Sequence, residues 1–163
     1  PGVVIGDNNH IGPYCIIGDY AEWKGREVKG NVVICHRNRI TGHVTIDSGV
    51  DRPTVIENDN YIMKGVHIGH DACIHHEVTL SCKAIIGGHT IVDNYANIGL
   101  GAIIHQQQRI AEGCMIGMGA IVTKKLITEP FKIYVGNPAR CIGDNVRHPK
   151  YPSEYTINQP DHP

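Results

Sequence analysis

Aliphatic residues recur along this chain at a spacing of six. The uninterrupted series is Ile56, Ile62, Ile68, Ile74, Leu80, Ile86, Val92, Ile98, Ile104, Ile110, Ile116 and Val122; shorter runs precede it at Ile5, Ile11, Ile17 and at Ile34, Ile40, Ile46. Neither the 3.6-residue helical period nor the two-residue strand period generates such a series. Two residues before the aliphatics of the long series small or β-branched side chains dominate, as at Thr54, Val66, Ala72, Val78, Ala84, Thr90, Ala96, Ala102, Cys114 and Ala120, and glycine often follows the aliphatic, as at Gly69, Gly87, Gly99 and Gly117. This pattern predicts an all-β hexapeptide solenoid in which three short strands and three tight turns make one triangular coil of about 18 residues. The aliphatic fills the interior and the small residue permits the corner. Gly, Asn and Asp (Asp7, Asn8, Asn58, Asp59, Asp93, Asn94) are expected to supply the unusual turn dihedrals. Each coil satisfies its edges only by stacking on the next. The anchors account for about six coils.

The phase breaks twice. Loops are expected at 20–31, around Glu22-Trp23-Lys24-Gly25-Arg26, and at 47–54, around Asp47-Ser48-Gly49-Val50-Asp51-Arg52-Pro53. Loops on a rigid scaffold are where binding residues concentrate, although a plain solvated insertion reads the same way. After Val122 the repeat ends. Residues 1–143 are read as one solenoid domain and residues 144–163, Pro-rich and polar, as an extended tail that lies on a neighbour or is partly disordered.

Composition narrows the function. With 15 Lys+Arg against 16 Asp+Glu, the chain is not a generally basic nucleic-acid binder. No apolar run is long enough for a membrane span and no secretion signal is evident, so a cytoplasmic location is expected. The six cysteines form no C-x-x-C pair and are read as reduced thiols. The 11 histidines exceed what packing asks for. Among them His70, two residues after Ile68, falls at a turn and points outward, where an imidazole can accept a proton near neutral pH. The 18-residue stack sets His70 beneath Gly88 and Gln106, and Asp71 beneath His89.

The segment His67-Ile68-Gly69-His70-Asp71-Ala72-Cys73, with Ile86-Gly87-Gly88-His89 and Ile104-His105-Gln106, resembles the bacterial UDP-N-acetylglucosamine acyltransferases of lipid A synthesis and, more broadly, the hexapeptide sugar acyltransferases. The match runs without gaps from about Lys64 to Asn145. It implies a left-handed parallel β-helix and a homotrimer with active sites between neighbouring chains. It also implies a nucleotide-linked sugar acceptor and a donor that is acyl-CoA, acetyl-CoA in particular, or an acyl carrier protein, with no permanently bound cofactor or metal. By position, His70 matches the general base, Asp71 stands beside it, and Gly88 matches the residue whose N–H serves the oxyanion. His67, His89, His105, Gln106 and Asn145 match residues around the substrates, and Met118 matches the position that limits acyl length, implying a short acyl group. Gly136-Asn137-Pro138-Ala139-Arg140 looks like the closing motif of acetyl-CoA-dependent hexapeptide enzymes, while the C-terminal helical domain of the lipid A enzymes has no counterpart in these 163 residues. Lys124, Lys125 and Arg140 are candidates for CoA phosphates, or else a solvated end cap. Trp23 reads either as a stacking surface for a base or sugar or as packing over the solenoid flank. His10, His36, His43, His75 and His76 fall outside the motif and are read as surface or trimer-interface residues.

Two rivals come from other classes. His70 and His75 have the five-residue spacing of two zinc ligands of the γ-type carbonic anhydrases; the third would fall near Ile34, with His36 usable only after a phase shift. A catalytically silent structural trimer is the other.

Overall fold

The computed structural model describes residues 2–150; the remaining stretch of the expected tail, 151–163, lies outside the described residues. The described chain contains no α-helix and hence none long and apolar enough to cross a membrane. It is a left-handed parallel β-helix of about six coils with three faces. The first face stacks strands such as Thr54–Ile56, Cys73–Ile74 and Ile91–Val92. The second stacks Tyr61–Ile62, Thr79–Leu80 and Asn97–Ile98, and the third His67–Ile68, Ile85–Ile86 and Ile103–Ile104.

Every aliphatic of the six-residue series from Ile34 to Val122 is buried, and so are the small residues Ala72, Ala84, Ala96, Ala102 and Ala120 at the corners. The register explains the phase breaks. In the undisturbed region Ile68 pairs with Ile86, an offset of 18. Ile5 pairs with Ile34, so the first loop inserts eleven residues; Ile34 pairs with Ile56, so the second inserts four. Each insertion returns the chain in phase, and the interior columns of side chains continue across it.

The corners refine the expectation about glycine. The left-handed conformation falls on the third residue of each turn, at Asp59, Asp71, Lys83, His89 and Gln107 among others, with φ close to +60°. The glycine directly after the aliphatic serves a different need. A Cβ on Gly69 would lie 2.8 Å from the Gly88 nitrogen of the next coil, so its absence lets the coils stack.

The stack also runs beyond Val122. Lys132–Val135 adds a parallel strand to the second face beside Met115–Ile116, with Tyr134 buried 18 residues after Ile116. Arg140–Asp144 then turns back antiparallel and closes that sheet. The segment after this strand packs on its own chain: His148 sits against Tyr95 and Phe131, and Asn145 is buried.

Candidate active site

The corner between the third and first faces carries His70-Asp71, with Gly88-His89 one coil on and Gln106-Gln107 one coil beyond. The ladder bonds His89 N–H to His70 O and Gln107 N–H to Gly88 O hold that order. It is the arrangement the 18-residue stack predicts.

Both inserted loops close on this corner. From the four-residue insertion, the backbone N–H groups of Val50, Asp51 and Arg52 donate to the Asp71 carboxylate at 3.1, 2.8 and 2.7 Å, and Arg52 Nε donates to the Asp71 carbonyl at 2.9 Å. Thr54 Oγ1 accepts the Asp71 N–H at 2.9 Å. The carboxylate is wholly buried. Burial alone would raise its pKa, but the hydrogen bonds from His70 and from the Arg52, Asp51 and Val50 backbone outweigh it and hold the group below the usual carboxylate range. Asp71 is therefore an anion that can only accept, so the 2.6 Å contact with His70 Nδ1 makes Nδ1 the donor. This fixes the tautomer: in the neutral ring, Nε2 carries the free lone pair.

From the eleven-residue insertion comes Trp23. Its ring lies 5.2 Å from that of His70, tilted by 34°, and the His89 ring meets both edge-on at 5.1 and 5.8 Å. Arg26 sits over Trp23 at 5.0 Å and pairs with Asp51 at 2.7 Å, tying one loop to the other. Trp23 packs over the flank of the solenoid against the candidate base, and its ring also borders the cavity where a base or sugar could stack. A cavity of about 220 Å³ opens here, lined by Glu22, Trp23, Lys24, His70, His89, Gln106 and Gln107.

Gly88, on the next coil, lies directly against the imidazole. A Cβ there would come within 2.6 Å of His70 Nε2, so glycine is what allows the ring to rest on the next coil. The second residue of each turn has an N–H that the ladder does not use. At the corner between the first and second faces asparagine takes it up, His76 N–H donating to Asn94 Oδ1 at 3.0 Å. The Gly88 N–H has no acceptor among the described residues.

The other expected residues are dispersed. His67 shares a 2.8 Å hydrogen bond with Thr45 Oγ1 on the outer surface of the third face, 3.8 Å from Asp47. Burial, then the nearby Glu22 charge, raise the Asp47 carboxyl, with His67 opposing. His105 turns its Nδ1 to the Gln106 carbonyl at 2.9 Å and does not line the cavity. Met118 stands at the next corner, 76% exposed. Lys124 and Lys125 continue the His70 corner upward, but Lys124 lines a different cavity, of about 530 Å³, with Arg109 and Glu112. Arg140 is exposed on the closing antiparallel strand. Asn145 donates to Gly113 O at 3.0 Å and fastens that closing segment, so within one chain it does not reach the His70 pocket.

The carbonic anhydrase reading is not favoured. His36 belongs to the column of Asn58 and His76, joined through His36 N–H to Asn58 Oδ1 at 2.9 Å, and so it sits a full face away from His70. The phase shift it required does not occur. What sequence reasoning missed is the backbone clamp on Asp71 and the pocket walls Glu22, Lys24 and Gln107. The only signal was that both phase breaks precede the His70 coil.

No family profile matches the chain. It is 34% identical over 146 residues to the acyl-[acyl-carrier-protein]–UDP-N-acetylglucosamine O-acyltransferase of Burkholderia orbicola, covering 87% of this chain and 55% of the relative. The chain thus spans about half the length of the curated relatives it matches. Among solved structures it superposes on the UDP-N-acetylglucosamine acyltransferase of Bacteroides fragilis with a TM-score of 0.88 at 28% identity, over 94% of this chain and 62% of that one. The perosamine N-acetyltransferase of Caulobacter crescentus, solved with CoA and GDP-perosamine, shares the fold alone, with a TM-score of 0.67 at 19% identity over 86% of this chain and 58% of that one. Sequence and fold together place the chain in the hexapeptide-repeat sugar acyltransferase family.

Proposed function

We propose that this chain transfers an acyl group from an acyl thioester to a hydroxyl or amine of a nucleotide-linked sugar. The observation that carries the reading is the His70–Asp71 pair: an imidazole with its tautomer fixed by a clamped carboxylate, its Nε2 free, resting on a glycine whose N–H is unused. His70 Nε2 takes the proton of the acceptor as the acceptor oxygen or nitrogen attacks the thioester carbon. The Gly88 N–H receives the developing oxyanion. Collapse of the tetrahedral intermediate breaks the C–S bond, and the imidazolium returns its proton to the leaving thiolate. Asp71 acts through His70 by holding Nδ1–H and by stabilising the imidazolium.

His89, Gln106 and Trp23 border the space above His70 and are assigned to the acceptor. His67, His105 and Met118 lie on the adjoining flank, and Asn145 and Arg140 on the closing segment. They enter the site in a homotrimer, where one chain's flank faces the next chain's His70 corner. With Met118 filling the acyl channel the donor is short, and Lys124, Lys125 and Arg140 meet the phosphates of CoA; a carrier-protein donor would use the same cations. The relatives named for UDP-N-acetylglucosamine support a nucleotide-linked acceptor.

The test is a mass-spectrometric screen of acyl-CoA donors against UDP- and dTDP-sugars. A short-acyl product formed by the wild type and lost in His70→Ala, with the thermal transition of that variant within a few degrees of wild type, supports the proposal. Turnover retained by His70→Ala, or a product made only from long-chain donors, overturns the base or the length assignment respectively.

A further inference from the structure

A second cluster of chemistry-bearing side chains lies on the opposite end of the first face. The register makes it. Outward residues directly after the buried aliphatic stack as Cys35, Glu57, His75 and Asp93, each held by a ladder bond to the next coil. Cys73 points outward from the strand two residues before His75. One ligand-capable atom from each of Glu57, Cys73 and His75 lies within 4.8 Å of the other two, and all three residues are partly buried. Tetrahedral zinc with bonds of about 2.0–2.3 Å sets its ligand atoms roughly 3.3–3.8 Å apart, a difference that modest side-chain rotation closes. Asp93 stands 3.5 Å from His75 Nδ1, where a carboxylate orients a liganding imidazole, and is itself fixed by Arg109 at 2.7 and 3.0 Å. His76 Nε2 lies 2.9 Å from Glu57 Oε2 and steadies the carboxylate in the same way.

We propose that Glu57, Cys73 and His75 form a three-residue site for a borderline-soft divalent cation of the zinc type, completed by water or by Cys35. The mixture of one thiol, one imidazole and one carboxylate suits zinc or cobalt, whereas magnesium and calcium ask for oxygen alone. A cluster of two imidazoles and a carboxylate, His70, Asp71 and His89, is unsuited to a cation. The Asp71 oxygens are already engaged by three backbone N–H groups and by His70 Nδ1–H. The proposed cation is structural. It ties two successive coils, and a third where Cys35 completes it, adding to the ladder bonds, the packing and the His76–Glu57 contact that already join them, and it stands apart from the acyl-transfer reading.

The experiment is equilibrium dialysis of the chelator-treated full chain against Zn²⁺, with Co²⁺ as a spectroscopic probe. The expected result is one ion per chain, a thiolate-to-cobalt charge-transfer band, and a thermal transition that rises with Zn²⁺. Cys73→Ser removes the band, and Cys73→Ser and His75→Ala each weaken binding more than 100-fold. Asp93→Asn weakens it about 10–100-fold, as loss of an outer partner does. His70→Ala/His89→Ala leaves stoichiometry and band unchanged. Circular dichroism of each variant shows whether it is folded, and Cys73→Ser alters so little volume that it keeps the comparison valid. No uptake at micromolar Zn²⁺, uptake unaffected in the Cys73→Ser/His75→Ala double variant, or loss of uptake in His70→Ala/His89→Ala overturns the proposal.

Discussion

Replacing Asp71 by Asn tests the centre of the mechanism with a change of one atom. The carboxylate accepts His70 Nδ1–H at 2.6 Å and three backbone N–H groups at 2.7–3.1 Å, in a place that water does not reach. An amide keeps one oxygen for the Asp51 and Arg52 N–H groups. Its NH₂ must then face His70 Nδ1, where donor meets donor. The ring resolves the conflict by moving its proton to Nε2, and the base is gone from the pocket. General-base catalysis contributes about 10²–10⁴-fold, so kcat/KM should fall by about that factor. Stability falls as well. Hydrogen bonds to charged groups contribute about 1.5–3 kcal/mol each, and losing part of this set should cost about 2–4 kcal/mol. For a chain of this length that is a drop of roughly 5–12 °C in Tm. The pH dependence has a definite sign. Asp71 is depressed in the folded state, so its contribution is present above the unfolded carboxylate value of about 3.9 and disappears as pH falls through the lower folded value. The Tm gap between wild type and Asp71→Asn should thus be steady from pH 5 to 8 and close in more acidic solution. The assay is acyl transfer with the pair found in the screen, alongside thermal melts across pH. A variant with activity within threefold of wild type, or a Tm gap that persists undiminished at pH 2–3, would refute the reasoning.

Gly88→Ala sets a methyl carbon 2.6 Å from His70 Nε2 and should displace the ring, lowering kcat by about 10²-fold while Tm falls by only a few degrees; unchanged kcat would show that the ring does not rest there. Trp23→Ala removes a ring that is 37% exposed on an inserted loop, so melts should barely change while acceptor KM rises several-fold; an unchanged KM removes Trp23 from the acceptor site. Asp47→Asn takes away a buried carboxyl whose folded value is raised, chiefly by burial, so wild-type stability from this group declines as pH rises through that value. The variant should melt about 2–4 °C higher at pH 7–8 and lose that advantage in acid; a lower melt at pH 8 would mean that its partners outweigh its desolvation.

The features legible in the sequence were those the six-residue period controls. Each aliphatic enters one of three interior columns, so Ile68, Ile86 and Ile104 announce their burial, and the same arithmetic sets His70 beneath Gly88. Features that depend on how an insertion folds were not legible. Period says where residues 20–31 and 47–54 leave the ladder, and nothing about Trp23 settling on His70 or three successive N–H groups converging on Asp71. Tyr134 was hidden because the stretch before it abandons the repeat, although its own spacing from Ile116 keeps the phase. The Glu57–Cys73–His75 cluster was hidden for another reason: Glu57 and His75 are like turn positions 18 residues apart, but Cys73 sits on the strand before the turn, where the period gives no sign that it joins them.

Because each insertion rejoins the ladder in phase, scaffold and specificity are mechanically uncoupled. The excursions that wall the pocket can be lengthened, shortened or exchanged without shifting any rung above or below them. A lineage or an engineer can retune the pocket wall by editing the Trp23 excursion while every rung stays in place, provided the shorter excursion keeps the three N–H groups that grip Asp71.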